Sequence, residues 1–323
     1  MRVVTLESSF HGHAVVGEAW RYLGPVPPRP TNLFAPSLFV WLLRILWVAL
    51  AVTLGFAIAN ATRTIDGAAG FVAPLTWNLA IGLAVLSLVV PSTIGLTVVR
   101  LLTPAAVPAA AIAWWYGDNA ALGAAATALA VVTSLVAFSG EVGEAMVSGA
   151  SYGSEQRFPL RPPAALVPPI ALSWVLWCGG LVGGIVVISQ GSWALGLLLT
   201  AAAVALTWFL FRRFHRFSRR WLVVVPAGVV VHDPVMLGET LMVQRTNVAE
   251  IRLALAGTEA ADLTGPAGGH ALDVAVHDMV LAVFPATETD PKGRAIHVQS
   301  FLVAPSRPGR ALQALAAAKL PVG

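Results

Sequence analysis

Five arginines stand close together in the chain, directly after a long apolar run. They are Arg212, Arg213, Arg216, Arg219 and Arg220. A guanidinium binds phosphate through paired hydrogen bonds, so this cluster can hold anionic lipid head groups, at about 1 kcal/mol per arginine. Basic residues also fix the cytoplasmic side of a membrane span, and the two roles are compatible.

A second group of charged residues lies between two apolar segments in the middle of the chain. It contains Glu141, Glu144, Glu155, Arg157 and Arg161. Carboxylates three residues apart share one helix face and could bind a metal ion or relay protons. A metal site needs more ligands than this pair, and no histidine is near in sequence. We therefore expect a solvated helix end, and a loop that contacts the C-terminal region through Glu141, Glu144, Arg157 and Arg161.

The remaining residue patterns predict no catalytic centre. The single cysteine, Cys178, excludes an intrachain disulfide and a zinc site built from several cysteines. His11 and His13 form a weak pair, and the other histidines have no ligand spacing. The sequence has no Ser–His–Asp constellation, no phosphate-binding glycine loop and no Gly-x-Ser-x-Gly motif. We predict no catalytic residue, metal or cofactor.

The composition indicates a membrane protein. Hydrophobic residues make up 57% of the 323 residues, charged residues only 11%, and the mean hydropathy is +0.77. A soluble domain has about 25% charged residues, and a disordered chain has far fewer apolar ones. The excess positive charge is confined to 212–220, whereas 221–323 is net acidic, so we expect no binding to nucleic acid.

Apolar stretches of about 20 residues can cross the hydrocarbon core as helices. Six such stretches are predicted: Leu38–Ala59, Phe71–Val98 with Pro91 inside, Leu101–Tyr116 broken by Pro104 and Pro108, Ala121–Ser139, Ala164–Ser189 and Trp193–Phe211. Only Arg100 and Pro104 interrupt the apolar region between the second and third stretches. The short loops on one side leave no room there for a further domain.

The distribution of arginine predicts the orientation. If the cluster at 212–220 is cytoplasmic, counting back through six spans places Arg157, Arg161 and Arg100 on the same side and only Arg63 opposite. Both termini are then cytoplasmic, and the protein is a multi-pass protein of the inner membrane. No cleaved signal peptide is predicted.

Two polar residues fall inside the predicted spans. Arg44 at mid-bilayer would cost roughly 2.5–3.5 kcal/mol, so we expect its side chain to extend to the cytoplasmic interface. For Asn78 we expect a hydrogen bond between helices.

The fifth span carries two overlapping Gly-xxx-Gly spacings. These are formed by Gly179, Gly180, Gly183 and Gly184. Without side chains at these positions a neighbouring helix can approach closely. The neighbour can belong to the same chain or to a second copy, so a homo-oligomer through this span is one possible partner arrangement.

From Trp221 onward the sequence is rich in β-branched residues and turn signals. Two strands joined by a turn at Pro226–Gly228 are predicted within Trp221–Asp233. Further strands are predicted at Thr240–Gln244, Ala249–Leu255, Ala271–Val276, Met279–Phe284 and Ile296–Val303, followed by a helix at Arg307–Lys319. We therefore divide the chain into a cytoplasmic tail (1–35), a six-helix membrane domain (36–211), a basic segment (212–220) and a β-rich domain (221–323).

Three segments of the β-rich domain, Leu222–Val231, Val248–Leu253 and Phe301–Leu312, follow a strand, turn and final-helix order. This order resembles the pleckstrin-homology-like (PH-like) domains that bacteria attach to multi-pass membrane proteins. An extra turn-rich insert lies at Thr258–His270. The resemblance covers about a third of the chain and implies a binding or assembly module rather than a catalyst.

The function favoured by these patterns is that of a non-enzymatic membrane scaffold. Its cytoplasmic domain would bind a lipid head group, a protein partner or its own loop. A transporter or channel is an alternative, because proline-interrupted spans often line binding sites. An integral-membrane enzyme is a third, for which only Glu141 and Glu144 could supply acid–base groups.

Overall fold

The structure is a computed structural model that describes residues 37–149, 151, 154–286 and 293–323. Within these ranges, six helices are long and apolar enough to cross a membrane. These six are α1 (Leu38–Ala61), α2 (Ala68–Val89), α3 (Thr93–Tyr116), α4 (Ala120–Ala137), α6 (Val167–Ser189) and α7 (Trp193–Ser218). A shorter helix, α5 (Gly140–Ser148), lies between α4 and α6. The predicted six helices are confirmed, and they indicate a multi-pass membrane protein. The predicted tail 1–35, including His11 and His13, lies outside the described residues.

The boundary between the second and third helices differs from the prediction of spans at 71–98 and 101–116. The second helix ends before Pro91, and the Ser92 hydroxyl accepts a hydrogen bond from the Gly95 backbone N–H at 3.0 Å. Proline disfavours a helical conformation in the residue before it, and serine is a preferred N-cap. The chain therefore turns at Pro91, well before the predicted boundary.

The third helix continues through Pro104 and Pro108, although the sequence predicted a break there. Pro104 has no N–H group to donate to the carbonyl of Arg100, four residues earlier in the helix. The indole N–H of Trp174 on α6 donates to the Leu101 carbonyl at 3.1 Å. Contacts of this kind with a neighbouring helix can support a backbone that proline interrupts nearby, and both prolines lie inside one helix.

The helices form two packing groups. Side chains from α1 to α4 share one core, with Leu50, Leu54 and Trp47 of α1 fully or almost fully buried. The hairpin of α6 and α7 has a smaller core of its own around Trp177 and Leu210. The two groups contact each other mainly through α3. We call the boundary between them the seam.

The C-terminal region consists of two four-stranded sheets and a closing helix. The first sheet has the order β1 (Gln156–Pro159), β2 (Trp221–Val225), β3 (Gly228–His232) and β4 (Leu241–Gln244), all antiparallel. The strands of the second are β5 (Val248–Leu253), β6 (Ala261–Asp262), β7 (Leu272–Phe284) and β8 (Arg294–Val303), in the order β5-β7-β8-β6. Helix α8 (Pro308–Ala317) follows.

Two features of these sheets differ from the prediction. The predicted strands 271–276 and 279–284 are one strand, β7, with an irregularity between Ala275 and Val280. The Gln299 side chain donates to two carbonyls there, at 2.8 and 3.0 Å, which satisfies backbone groups that the bulge leaves unpaired. Strands β1 and β6 were not predicted, and β6 falls within the expected turn-rich insert at Thr258–His270.

Strand β1 belongs to the loop between the fourth and fifth spans, yet its Phe158 lies in the core of the C-terminal region. Only 2% of Phe158 is exposed, and it shares that core with Leu222, Phe301 and Leu312. A buried phenylalanine contributes about 1.5–3 kcal/mol of transfer free energy. The membrane domain therefore supplies part of the core of the β-rich domain.

Two of the four glycines in α6 face α7. A Cβ atom on Gly184 would lie 2.4 Å from the Thr200 hydroxyl, and one on Gly180 would lie 3.3 Å from the Ala203 methyl group. The two helices therefore approach more closely than side chains would permit. For these two glycines the neighbour belongs to the same chain.

The other two glycines, Gly179 and Gly183, provide a matched control, since a Cβ there would meet nothing within 4 Å. We predict that Gly184→Ala lowers the melting temperature of the detergent-purified chain, because overpacking costs about 1–3 kcal/mol. Gly183→Ala should not lower it. Thermal unfolding followed by tryptophan fluorescence tests this, and equal melting temperatures would contradict the packing.

Candidate functional site

The arginine cluster after the last span divides into two parts. Arg212, Arg213, Arg216 and Arg219 are exposed, and we call these four the arginine belt. Arg220 is 1% exposed and points into the C-terminal region. Its guanidinium is thus unavailable to a lipid head group, in contrast to the expectation for all five arginines.

Arg212, Arg213 and Arg216 lie on the last turns of α7 rather than in a separate segment, since that helix continues to Ser218, and Arg219 is its C-cap. The Arg212 guanidinium stacks over the ring of Trp208 at 4.3 Å, and that of Arg213 over Phe209 at 4.7 Å. Cations at a helix C-terminus also interact favourably with the helix dipole. The belt is therefore a concentrated and oriented positive surface at one end of the membrane domain.

Arg220 forms a bidentate ion pair with Asp233 in the interior. The Nε–Oδ1 distance is 2.8 Å, the Nη2–Oδ2 distance is 2.7 Å, and both side chains are almost completely buried. Nη1 donates to the Arg161 carbonyl at 2.7 Å, and Asp233 accepts from the backbone N–H groups of Val235 and Met236. Buried charges are tolerated when paired and fully hydrogen-bonded, and this pair meets both conditions.

The region around Arg220 and Asp233, where α7 meets the β-rich domain, is called the junction. It also holds the two arginines of the loop between the fourth and fifth spans. Arg157 lies on β1, forms an ion pair with Glu155 at 2.7 Å and stacks over Trp221 at 5.2 Å. The Arg161 side chain donates to the His270 carbonyl, and its backbone N–H donates to Ala304. Both residues thus contact the C-terminal region.

The carboxylates of Glu141 and Glu144 lie on one face of α5 and form ion pairs with the final helix. Arg307 reaches Glu141 at 3.5 Å and Glu144 at 3.0 Å, and Arg310 reaches Glu144 at 3.7 Å. Two arginines near a helix N-terminus oppose the helix dipole, and the glutamates compensate for this. These carboxylates hold α8 against the membrane domain instead of forming a solvated helix end.

Arginines also complete the ends of two membrane helices. Arg44 donates to the carbonyls of Leu88, at 2.9 and 2.6 Å, and Val89, at 3.1 Å, at the end of α2. Arg100 donates to the Ala137 carbonyl at the end of α4, at 3.2 Å. The last carbonyls of a helix have no helical partner, so these arginines have a structural task.

Asn78 does not form the expected hydrogen bond between helices. Its side-chain amide donates to the carbonyl of Pro74, in the same helix, at 2.9 Å. The residue is exposed on α2. Its hydrogen-bonding capacity is therefore used locally, one turn back along its own helix.

A half-buried histidine lies beside the junction. The His232 ring stacks on Trp221 at 5.0 Å, and its Nδ1 is 3.0 Å from the Thr240 hydroxyl. Its Nε2 is buried and has no hydrogen-bond partner among the described residues. Burial, followed by the nearby charges of Arg219 and Arg157, lowers the pKa of His232 despite the opposing effect of Asp233.

The arrangement of these groups supports binding and assembly. The charged side chains at the junction pair with one another, stack on aromatic rings or, for Arg161, donate to a backbone carbonyl. The belt arginines are exposed. Within the part of the chain that the structure describes, no three His, Cys, Asp or Glu side chains converge as metal ligands. Sequence reasoning missed Asp233, which lies thirteen residues from its partner Arg220. Its position after a β-branched strand gave no specific signal.

Comparisons with protein-family models, curated proteins and solved structures find no match for this chain. Its function therefore rests on the geometry of its own residues.

Replacement of one member of the buried pair should strongly destabilise the C-terminal region. We predict that Asp233→Asn destabilises the C-terminal region by about 3–5 kcal/mol, because it leaves the Arg220 charge buried and uncompensated. The exposed pair of Glu250 and Arg252 gives the control, and Glu250→Gln should cost at most about 1 kcal/mol. Pulse proteolysis in increasing urea measures both effects. Equal urea midpoints would show that the pair is not buried as described.

The lowered pKa of His232 predicts a pH dependence of stability. In the unfolded chain, His232 binds a proton near its ordinary pKa of 6.5. In the folded chain, it binds the proton only at a lower pH. Stability is therefore complete above that value and falls as the pH decreases through it. The urea midpoint should decrease more between pH 7.5 and pH 5.5 in the wild type than in His232→Gln. Parallel curves for the two proteins would contradict this.

Proposed function

We propose that this protein is a non-enzymatic scaffold of the inner membrane. Its six helices would hold a PH-like assembly domain at a fixed orientation on the cytoplasmic surface. The arginine belt would bind anionic lipid head groups of the adjacent leaflet. The observation that carries this proposal is the belt itself, four exposed guanidiniums at the C-terminal end of the last span.

The fixed orientation is supported by three separate connections between the two parts of the chain. Strand β1 pairs with β2, the buried Arg220 side chain joins α7 to the loop after β3, and the glutamates of α5 pair with the N-terminus of α8. A domain attached by a single linker would move independently. With three connections, the position of the domain relative to the six helices is set by the fold.

The role of lipid is supported by the location and availability of the belt charges. Apolar side chains dominate α7 before the belt. In a bilayer, the belt would therefore lie where the hydrocarbon core gives way to head groups. Arg216 also donates to the Pro234 carbonyl at 2.8 Å, which places the belt next to the domain. Anionic head groups bound there would contact both parts of the protein.

The PH-like assignment is supported by architecture. The two sheets, whose strands are mostly antiparallel, share one hydrophobic core. The C-terminal helix α8 covers this core with its buried Leu312 and Leu315. In this arrangement, the first sheet gains its edge strand from the membrane domain. That contribution suits a module whose task is assembly at the membrane.

The experiment compares the wild type with a variant in which all four belt arginines are glutamine. We expect phosphatidylglycerol to raise the melting temperature of the purified wild type more than phosphatidylcholine does, with about 1 kcal/mol from each arginine. The glutamine variant should lose this difference. High salt should weaken the effect in the wild type, since exposed charges are screened.

Two controls sharpen this test. A variant with four lysines at the belt keeps the charge and should retain most of the stabilisation. A variant with Arg63→Gln and Arg294→Gln removes two exposed arginines elsewhere and should behave like the wild type. If phosphatidylglycerol stabilises the glutamine variant as much as the wild type, the belt is not the lipid site.

A further inference from the structure

An apolar cleft lies in the seam between the two groups of membrane helices. Its volume is about 190 Å³, and its walls come from α1, α2, α3 and α6. Most lining residues belong to the end of α1, the first half of α2, and the second halves of α3 and α6. These parts of the helices are far from the C-terminal region. The cleft is therefore near the membrane surface opposite the arginine belt.

The walls of the cleft offer a polar molecule almost no partner. No charged residue is among those that line it. The hydroxyls of Thr62, Thr76 and Ser189 each donate to a carbonyl of their own helix. The indole N–H groups of Trp77 and Trp177 also donate to groups outside the cleft. A water molecule requires two to four polar partners, so this cleft favours an apolar occupant.

One end of the cleft is polar. Gln190 donates from its side-chain amide to the Tyr116 hydroxyl at 3.0 Å, and both residues are exposed. Tyr116 is the last residue of α3 and Gln190 directly follows α6, and both helices end at the same membrane surface. The cleft thus has an apolar body and a hydrogen-bonding rim at the level of lipid head groups.

We propose that this cleft binds the acyl chain of a membrane lipid from the leaflet opposite the C-terminal region. Many lining side chains, such as Ala105, Ala109 and Ile185, are partly exposed, so the cleft is open on one side. A chain entering from the bilayer replaces an unfilled space with dispersion contacts along its length. Its polar end then lies at Tyr116 and Gln190. This separates an acyl-chain site from the head-group site at the opposite surface.

The test uses the full chain reconstituted in phosphatidylcholine vesicles that contain a trace of phosphatidylcholine with a photoreactive diazirine on one acyl chain. After irradiation, mass spectrometry of peptides should find labels concentrated on lining residues of α3 and α6. Ala109→Phe fills the cleft and should lower this labelling about tenfold, the effect of about 1.4 kcal/mol in affinity. Ala128→Phe, at an exposed position of α4, should leave it unchanged.

Further variants and a second lipid probe distinguish the possible outcomes. Gln190→Ala with Tyr116→Phe alters only the rim and should also reduce labelling, which covers the case in which Ala109→Phe misfolds. The belt glutamine variant should label as the wild type does, so the two lipid proposals fail independently. Uniform labelling of all lipid-facing helices would overturn the proposal. Labelling of the cleft by a photoreactive fatty acid, but not by the phospholipid, would overturn it in favour of a free amphiphile.

Discussion

The side chains of Arg220 and Asp233 meet where the last membrane helix enters the β-rich domain, and the connection between the two parts depends on this contact. Removing both charges from water costs several kcal/mol per ion unless geometry and hydrogen bonds compensate. The bidentate pair, the Arg161 carbonyl and two backbone N–H groups provide this compensation. Because the compensating groups come from three segments, the pair is stable only when all three are in place.

The same requirement explains Arg44 and Arg100 of the membrane domain. Helix ends in an apolar environment leave carbonyl groups without partners, and each unsatisfied group is costly. Arg44 and Arg100 donate to such carbonyls at the ends of α2 and α4. Both helix ends lie on the side of the C-terminal region, so positive charge accumulates on one membrane surface. The exposed arginines of the belt add to this positive charge, and we propose that they bind lipid head groups.

Hydrophobic runs long enough to span a bilayer could be predicted from sequence because their structure is determined locally. In hydrocarbon, a helix satisfies its own backbone, so a run such as Trp193–Phe211 needs no information from elsewhere to be assigned. The strands flanking Pro226 and Gly228 were predicted for a similar reason, since turn residues and β-branched residues act locally. Helix ends were less certain, because they depend on capping groups and on residues such as Pro91.

Sequence alone determined the six helices, most strands and the final helix, all set by local periodicity and turn chemistry. The tertiary structure decided which charges pair. Arg220 and Arg219 are adjacent and identical in type, yet only Arg220 is buried, because Asp233 and the Arg161 carbonyl lie within its reach. Glu144 likewise pairs with Arg307, 163 positions away. Such contacts depend on how distant segments pack, and neither the spacing nor the type of these residues contains that information.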